Sequence, residues 1–347
     1  MISRSEINKS EYGGYQVEIL DRVGLITVPS VLTVLEAVDF RQAFQQICQS
    51  NPNLVRAELD FNQTHFMDSS GLGALAKIRE TARQHDLELI LLNVSLQPML
   101  ALTTASLDTV FTIRQTNVGD GLTGTLQSPK DRFRQKKPTL PTTHPSVNSK
   151  AKRAVDILGA LVGLGITAIL FIPIAIAIQL DDPGPILFGQ IRCSWMGGSF
   201  KMWKFRSMVT NAEELKAELE AQNEAEGAIF KIKKDPRITR VGRFLRKTSL
   251  DELPQFWNVL KGEMSLVGTR PPTPDEIDKY EIPQWQRLDV KPGMTGEWQV
   301  NGRSTVKNFE DVIKLDLNYQ KNWSLLYDIK LILKTIFIVF SKKAGGS

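Results

Sequence analysis

A charge-free apolar run from Ile157 to Leu180 constrains this chain more than any other feature of its sequence. Roughly 20 apolar residues are enough to span the hydrocarbon core of a bilayer, and the alternative is a helix buried in the core of a soluble domain. Pro173 lies past the middle of the run, where it should kink or break a helix. The run therefore predicts a membrane-inserted helix that bends at Ile172-Pro173.

Basic residues flank this apolar run on both sides. Lys152 and Arg153 precede it, and four further cations follow it: Arg192, Lys201, Lys204 and Arg206. A spanning helix would place the two halves of the chain on opposite sides of the membrane. Positive flanks at both ends instead favour a segment that enters and returns on the cytoplasmic face. We therefore predict a re-entrant helix. The N-terminus lacks the apolar core of a signal peptide.

The rest of the chain divides around a low-complexity stretch. Its 347 residues suggest two or three domains. Between residues 119 and 150 the hydrophobic periodicity stops, Gly, Ser, Thr and Pro dominate, and Asp120 and Asp131 are the two acids among many basic residues. We interpret 119–150 as a basic flexible linker, which also suits contact with anionic lipid headgroups. It separates a first domain at 10–118 from a second at 151–347.

Composition sets only loose limits on function. The net charge of +5 and the pI of about 9.1 suit an anionic partner, but do not choose between nucleic acid, membrane and phosphorylated substrate. Cys48 and Cys193 match no metal-ligand spacing and are expected to be reduced thiols. His65, His85 and His144 are scattered, which argues against a zinc site or a histidine-based triad.

In the first domain, short β-like runs alternate with helical patterns. The predicted strands are 15–20, 24–28, 54–61, 87–93 and 110–113, and the predicted helices are 34–49, a helix that follows Asp68, and 96–104. This alternation indicates a small α/β domain with a sheet covered on one side by helices.

The clearest local signal of this domain is the octet from Phe66 to Gly73, a strand end, a capping triplet and a helix start. Helix capping explains the triplet by itself. The octet, in this order of elements, also closely resembles the STAS domain, the fold of anti-sigma-factor antagonists and of transporter tails, over most of residues 12–116. The resemblance implies a regulatory domain with a protein partner. It also makes Ser69 a candidate phosphorylation site, where phosphate would add about −1.5 to −2 charges at a helix N-terminus.

In the second domain, two adjacent carboxylates stand out, Asp251 and Glu252. If Ser249 is the N-cap of the following helix, Glu252 completes a capping box. If Asp251 is the N-cap, Pro254 falls in the first turn, where its missing amide costs nothing. Either register places both carboxylates at a positive helix end suited to phosphate or a metal ion. Spacing alone leaves open both a catalytic pair and a capped, salt-bridged helix.

Arginines elsewhere in this domain recur beside Gly and Pro, a pairing that suits recognition of phosphate oxygens. The stretches are Phe200 to Met208, Asp235 to Gly242, Leu260 to Pro271, and Lys291 to Gly296 followed by Asn301-Gly302-Arg303. No Walker or dinucleotide-binding glycine pattern is present in the sequence. In this order the stretches resemble the bacterial sugar transferase family, the monotopic polyprenyl-phosphate phosphoglycosyltransferases, over residues 150–340.

This resemblance implies a mostly α, monotopic membrane domain with a proline-kinked re-entrant helix, on the cytoplasmic face of the bacterial inner membrane. It implies transfer of a sugar 1-phosphate from a UDP-sugar to undecaprenyl phosphate, with release of UMP, at the start of exopolysaccharide or other glycan assembly. Asp251 would be the nucleophile that carries the phosphosugar as an acyl phosphate. Glu252, together with Asp251, would bind Mg²⁺.

The resemblance also implies that five cations lie at the site. Arg246, Arg270 and Arg303 would hold phosphate oxygens, and Lys204 and Arg206 belong to a motif beside the same site. Thr269 stands where the family more often has proline, which puts only the local turn in doubt. Membrane lipid is an expected partner and nucleic acid is not. The identity of the sugar stays open.

Two alternatives accompany this interpretation. The chain could be a catalytically inactive, membrane-anchored regulatory or docking protein, although its carboxylate pair is intact. It could also be a transporter subunit, because STAS domains often follow sulfate permeases, but a single apolar segment of spanning length argues against that. The tail at 322–340 is predicted to be a helix lying in the membrane interface. A second membrane crossing is the weaker option for it, since Asp328, Lys330 and Lys334 interrupt the apolar run.

Overall fold

The computed structural model describes residues 8–115, 143–219, 232, 235–301 and 309–341. The chain divides into two compact units, which are described separately below. The first contains residues 1–143 together with two short segments, Met196–Gly198 and Tyr280–Gln286. The second contains the remaining residues. Most of the predicted linker lies outside the described residues.

The first unit is built on a six-stranded sheet with strand order β1-β2-β3-β5-β7-β8. Strands β1 to β3 pair antiparallel, whereas β3, β5, β7 and β8 pair parallel. A separate two-stranded pair joins β4 and β6. The strands are β1 (Asn8–Tyr12), β2 (Tyr15–Leu20), β3 (Val23–Thr27), β4 (Val31–Leu32), β5 (Arg56–Asp60), β6 (Phe66–Met67), β7 (Glu88–Leu92) and β8 (Thr112–Arg114). The helices are α1 (Val34–Ser50), α2 (Ser69–Gln84) and α3 (Leu96–Thr104).

The burial pattern explains these elements. In β5, Ala57 and Leu59 are buried while their neighbours are partly exposed, the alternation of a strand with one face on a core. Helix α1 buries Phe40, Phe44 and Ile47, which recur at helical spacing. The predicted α/β domain is therefore confirmed.

The second unit is mostly helical. Its helices are α4 (Pro145–Asn148), α5 (Lys150–Asp181), α6 (Ala212–Glu218), α7 (Arg240–Thr248), α8 (Gln255–Lys261), α9 (Pro274–Asp278), α10 (Glu297–Asn301), α11 (Phe309–Lys321) and α12 (Leu325–Phe340). Its strands are β9 (Leu187–Cys193), β10 (Ser199–Phe205), β11 (Ser265–Val267) and β12 (Gly293–Thr295). Strands β9 and β10 form an antiparallel hairpin, and β11 pairs parallel with β12.

Helix α5 carries the apolar run and begins upstream of it, at Lys150. Among the described residues it is the one helix long and apolar enough to cross a membrane. Much of its apolar surface is uncovered, with Ile169 77% and Leu180 82% exposed, which is not the pattern of a core helix. The helix continues through Pro173 from Lys150 to Asp181, so the bend predicted at Ile172-Pro173 stays a prediction.

One stripe of α5 packs tightly on the rest of the second unit. A Cβ on Gly163 would lie 2.4 Å from the ring of Phe256 in α8, and a Cβ on Gly159 would lie 2.5 Å from Leu266. The hydroxyl of Thr167 donates to the backbone carbonyl of Leu253 at 3.3 Å. Small residues on α5 therefore let α8, and the turn that precedes it, approach the helix backbone.

A buried polar network joins the start of α5 to the C-terminal helix. The carboxylate of Asp328 in α12 accepts hydrogen bonds from Lys152 Nζ at 2.6 Å, Tyr319 Oη at 2.8 Å and Trp323 Nε1 at 3.1 Å. Asp328 is buried, so it does not interrupt an exposed apolar face as the sequence indicated. Helix α12 is thus anchored at its first turn by a satisfied ion pair.

Candidate functional site

The two adjacent carboxylates lie in a short 3-10 turn, Leu250–Glu252, between α7 and α8. Ser249 is the N-cap of this turn, as one of the two predicted registers had it, but its side chain makes no capping hydrogen bond, and α8 itself begins only at Gln255. Ser249 ends α7 as its C-cap in the left-handed conformation (φ 57°), and Pro254 precedes α8 as its N-cap. Proline is suited to that position because it has no amide to donate there. The carboxylates are therefore held in a turn between two helices rather than in the first turn of one.

Asp251 is a buried carboxyl group, only 7% exposed. Burial raises its pKa, and the adjacent charge of Glu252 raises it further. Lys204 and Arg246 act in the opposite direction and favour the ionised form. A buried carboxylate held beside a second carboxylate and two cations is typical of a functional site, since burial of this kind does not stabilise the fold.

Lys204 in β10 reaches this turn directly. Its Nζ lies 3.3 Å from Glu252 Oε1, and both side chains are partly exposed. The structure thus brings together Asp251, Glu252 and Lys204. Arg246 lies in the last turn of α7, close enough for its charge to act on Asp251.

Asn258 holds α8 against β10 and so fixes the distance between the turn and Lys204. Its Nδ2 donates to the carbonyl of Lys201 at 2.8 Å and to Glu263 Oε2 at 2.7 Å, and its Oδ1 accepts from the backbone amide of Trp203 at 3.1 Å. It is fully buried. Sequence analysis assigned no role to this residue. Its signal was an isolated amide within the apolar run Phe256 to Leu260.

Arg206, also predicted to lie at the site, is engaged at the far end of α5. Its guanidinium donates to the side chain and the backbone carbonyl of Asp182. The adjacent Asp181 accepts from the backbone amide of Val241 at 2.7 Å, near the start of α7. These contacts tie the C-terminal end of α5 to β10 and α7. Arg206 acts here as an anchor, and its role in binding phosphate stays a prediction.

Arg270 is likewise held by a carboxylate. Its two terminal nitrogens contact Glu276 at 2.6 and 2.9 Å in a bidentate pair. A phosphate ligand would have to share this guanidinium with Glu276. Arg303 lies outside the described residues.

The donor set at the turn suits a magnesium ion. No cluster of three or more His, Cys, Asp or Glu side chains able to hold a metal occurs in the part of the chain that the structure describes. Mg²⁺ does not need one, since it is usually held by one or two carboxylates and completes its shell with water and substrate phosphates. Asp251 and Glu252 provide such a pair, and a cation there would relieve their mutual repulsion.

Comparison with known proteins identifies the family to which this chain belongs. Residues 147–342 match the family model described as bacterial sugar transferase. The chain belongs to the bacterial sugar transferase family. This membership agrees with the resemblance found in the sequence motifs, and the carboxylate turn lies within the matched region.

Curated relatives of this chain include proteins named for sugar-phosphate transfer. It is 51% identical over 193 residues to the galactosyl transferase CpsE of Streptococcus agalactiae, which covers 54% of this chain and 42% of the relative. It is 45% identical to the undecaprenyl-phosphate galactose phosphotransferase of Salmonella typhimurium, over 55% of this chain and 40% of the relative. It is 40% identical to the exopolysaccharide production protein ExoY of Rhizobium meliloti, over 55% of this chain and 85% of that protein. The match thus spans about two fifths of the first two relatives.

The N-terminal part of the chain matches a second family model. Residues 15–118 match the STAS domain, as the octet around Ser69 predicted. A solved anti-sigma factor antagonist, SpoIIAA in its unphosphorylated form, is 20% identical over 35% of this chain and 99% of that chain, with a TM-score of 0.24. A TM-score this low carries no weight, so the STAS assignment rests on the family model and the observed α/β sheet.

Ser69 lies at the start of α2, directly after its N-cap. Asp68 accepts hydrogen bonds from the backbone amides of Ser70 and Gly71 at 2.8 and 3.1 Å. The Ser69 side chain is fully buried, and its hydroxyl donates to the backbone carbonyl of Trp285, a residue of the same compact unit, at 2.7 Å. A kinase would reach this hydroxyl only after that hydrogen bond opened, and phosphorylation of Ser69 stays a prediction.

Proposed function

We propose that this sugar transferase moves a sugar 1-phosphate from a UDP-sugar to undecaprenyl phosphate and so starts the assembly of an exopolysaccharide or another surface glycan. The observation that carries the proposal is the buried Asp251 beside Glu252 and Lys204, within the matched family region. Relatives named for galactose and for glucose transfer support a hexose phosphate as the group transferred.

The proposed first step uses Asp251 as the nucleophile. An ionised Oδ attacks the β-phosphorus of the UDP-sugar, an Oδ–P bond forms, and the bond from that phosphorus to the bridging oxygen breaks. UMP leaves with the electron pair of the broken bond. A carboxylate needs no base to activate it, and nearby Lys204 and Arg246 favour its ionised form despite burial.

In the second step, a phosphate oxygen of undecaprenyl phosphate attacks the same phosphorus. The Oδ–P bond breaks, and Asp251 returns to its ionised form as the lipid diphosphate sugar is released. The chain's own contribution is to exclude water from Asp251 through burial and to hold cations beside the phosphates. Glu252 and Asp251 would hold Mg²⁺, which when bound neutralises charge on the diphosphate and on the leaving UMP.

A membrane location follows from the same proposal. Undecaprenyl phosphate is confined to the bilayer, and the exposed apolar side chains of α5 fit contact with lipid chains. We place the enzyme at the cytoplasmic face of the inner membrane, with α5 entering and returning on that face around Ile172-Pro173. The STAS domain would dock a protein partner or regulate the transferase.

The test uses full-length protein in lipid with Mg²⁺ and UDP-sugars labelled in the β-phosphate, without acceptor. We expect label bound covalently to the wild type but not to Asp251→Asn, and loss of that label when undecaprenyl phosphate is added. The donor that labels the protein would name the sugar. Asp311→Asn is a control at an exposed carboxylate of α11, away from the turn, and it should keep the label.

Two results would contradict the proposal. Label on Asp251→Asn would move the nucleophile to another residue. No label with any UDP-sugar, together with no UMP release in the presence of acceptor, would favour an inactive, membrane-anchored regulatory or docking protein instead.

A further inference from the structure

Two cations flank one open point near the N-terminal end of α5. Gly262 ends α8 in the left-handed conformation (φ 83°). A Cβ placed on Gly262 would lie 3.5 Å from Arg153 Nη2 and 3.5 Å from Lys291 Nζ. Both cations therefore border the space that a side chain at residue 262 would occupy, and glycine leaves that space free.

The carboxylates and Lys152 around this point are already paired, whereas Arg153 uses two of its five N–H donors. Lys152 is paired with Asp328, and Asp156 accepts from Ser265 Oγ and from the backbone amide of residue 266, each at 2.9 Å. Arg153 donates to the carbonyls of residues 259 and 260, at 2.7 and 2.6 Å, where α8 ends.

Lys291 is the exception in this cluster. Among the described residues, none accepts a hydrogen bond from its Nζ or forms an ion pair with it. Three cations, at residues 152, 153 and 291, face two carboxylates, at 156 and 328, which leaves one net positive charge. Lys261 nearby is paired with Glu263 and adds no further net charge.

A half-buried lysine beside another cation is unfavourable unless an anion joins it. Burial lowers the pKa of Lys291, and the Arg153 guanidinium lowers it further. A bound anion would offset both effects by charge-assisted hydrogen bonds.

The position of Arg153 in the chain indicates which anion binds here. Arg153 lies in the first turns of α5, just before the charge-free run that begins at Ile157. If α5 enters the bilayer as proposed above, this cluster lies at the level of the lipid headgroups. We propose that Arg153 and Lys291, with Gly262 between them, bind the phosphate of an anionic phospholipid headgroup. The inference rests on the proposed membrane placement of α5 and not on the transfer reaction.

The test measures lipid binding by the detergent-purified full chain, without UDP-sugar. Short-chain phosphatidylglycerol is titrated by calorimetry into the wild type, Lys291→Gln, Lys291→Arg and Lys261→Gln. Loss of one charge-assisted contact should weaken binding to Lys291→Gln by about tenfold or more. Lys291→Arg keeps the charge and should bind nearly as the wild type does. Lys261→Gln, at an exposed lysine in the last turn of α8, should leave the affinity unchanged.

Three results would overturn the inference. Equal affinity of Lys291→Gln and the wild type would show that this lysine holds no lipid. An equal loss in Lys261→Gln would show nonspecific attraction to surface charge. Binding of inorganic phosphate as tight as that of phosphatidylglycerol would make free phosphate the ligand.

Folding of Lys291→Gln is checked separately by thermal unfolding without lipid. We expect a melting temperature at or above that of the wild type, because the substitution removes an uncompensated charge. Since no UDP-sugar is present, failure here leaves the proposed transferase reaction untouched.

Discussion

Two buried carboxylates in the second unit differ in their hydrogen-bond partners. Asp328 accepts three hydrogen bonds and pairs with Lys152 at 2.6 Å. Asp251 is about as deeply buried, yet in the described part of the structure no side-chain donor bonds to it, and a second carboxylate adjoins it. Asp328 is arranged for stability, whereas Asp251, the proposed nucleophile, is buried without a side-chain hydrogen bond among the described residues.

If Asp251 is the nucleophile, as proposed, this unit keeps the residues that anchor its helices separate from the residue that reacts. Ion pairs hold both ends of α5. Lys152 pairs with Asp328 at its start, and Arg206 pairs with Asp182 at its end. The turn that carries Asp251 and Glu252 is held from outside, through Asn258 and through contacts with α5. Asp251 can therefore remain without a side-chain hydrogen bond while its surroundings stay in place.

The largest expected effect is on activity, from Asp251→Asn. Removing a nucleophile should lower turnover by a factor on the order of 10⁴ or more. Stability should not fall. The folded-state pKa of Asp251 is raised by burial and by Glu252, so its destabilising effect is absent below the unfolded pKa and develops as pH rises through the folded pKa. At neutral pH the amide removes that effect.

Turnover and denaturant unfolding of Asp251→Asn, measured in the same detergent, check both parts. A variant that lost activity together with stability would place Asp251 among the structural carboxylates and remove the contrast with Asp328.

The next effect is on stability, from Asp328→Asn. This change leaves Lys152 buried without its ionic partner and should lower the free energy of unfolding by about 3–5 kcal/mol. Asp311→Asn is the matched control, since Asp311 pairs with Lys314 on the exposed face of α11 and should matter little. Denaturant unfolding of both variants tests the difference.

A double variant sharpens this result. Lys152→Met combined with Asp328→Asn removes both charges and should recover part of the lost stability. Strictly additive losses would show that the two residues do not act as a pair.

The smallest effect is a shift in pH dependence, from Lys204→Met. Lys204 favours the ionised form of Asp251, so its removal should raise the pKa of Asp251. Since the proposed nucleophile must be ionised, the acid limb of kcat/KM should move to higher pH, with activity falling most on the acid side of the profile. Lys247→Met, an exposed cation of α7, is the control. An unchanged limb in Lys204→Met, or an equal shift in Lys247→Met, would contradict the proposed coupling.

Much of the architecture could be predicted because it depends on local patterns. Alternating burial in β5 and helical spacing in α1 are visible in the order of residues alone, and so are the apolar run of α5 and the capping triplet of α2. The carboxylate pair was recognisable as a motif, although the point at which α8 begins was not. The break between α7 and α8 depends on Ser249 adopting a left-handed conformation, which is common for glycine and is not expected of a serine.

Only the tertiary structure decided the ion pairs between residues that are distant in the sequence. Arg206 and Asp182 are 24 positions apart, Lys204 and Glu252 are 48, and Lys152 and Asp328 are 176. A basic residue in the sequence does not reveal whether a carboxylate will neutralise it, because that depends on which helices pack together. Sequence thus determined which residues could do chemistry, and packing decided which of them, Asp251 and Lys291 among others, kept a charge without a matching partner.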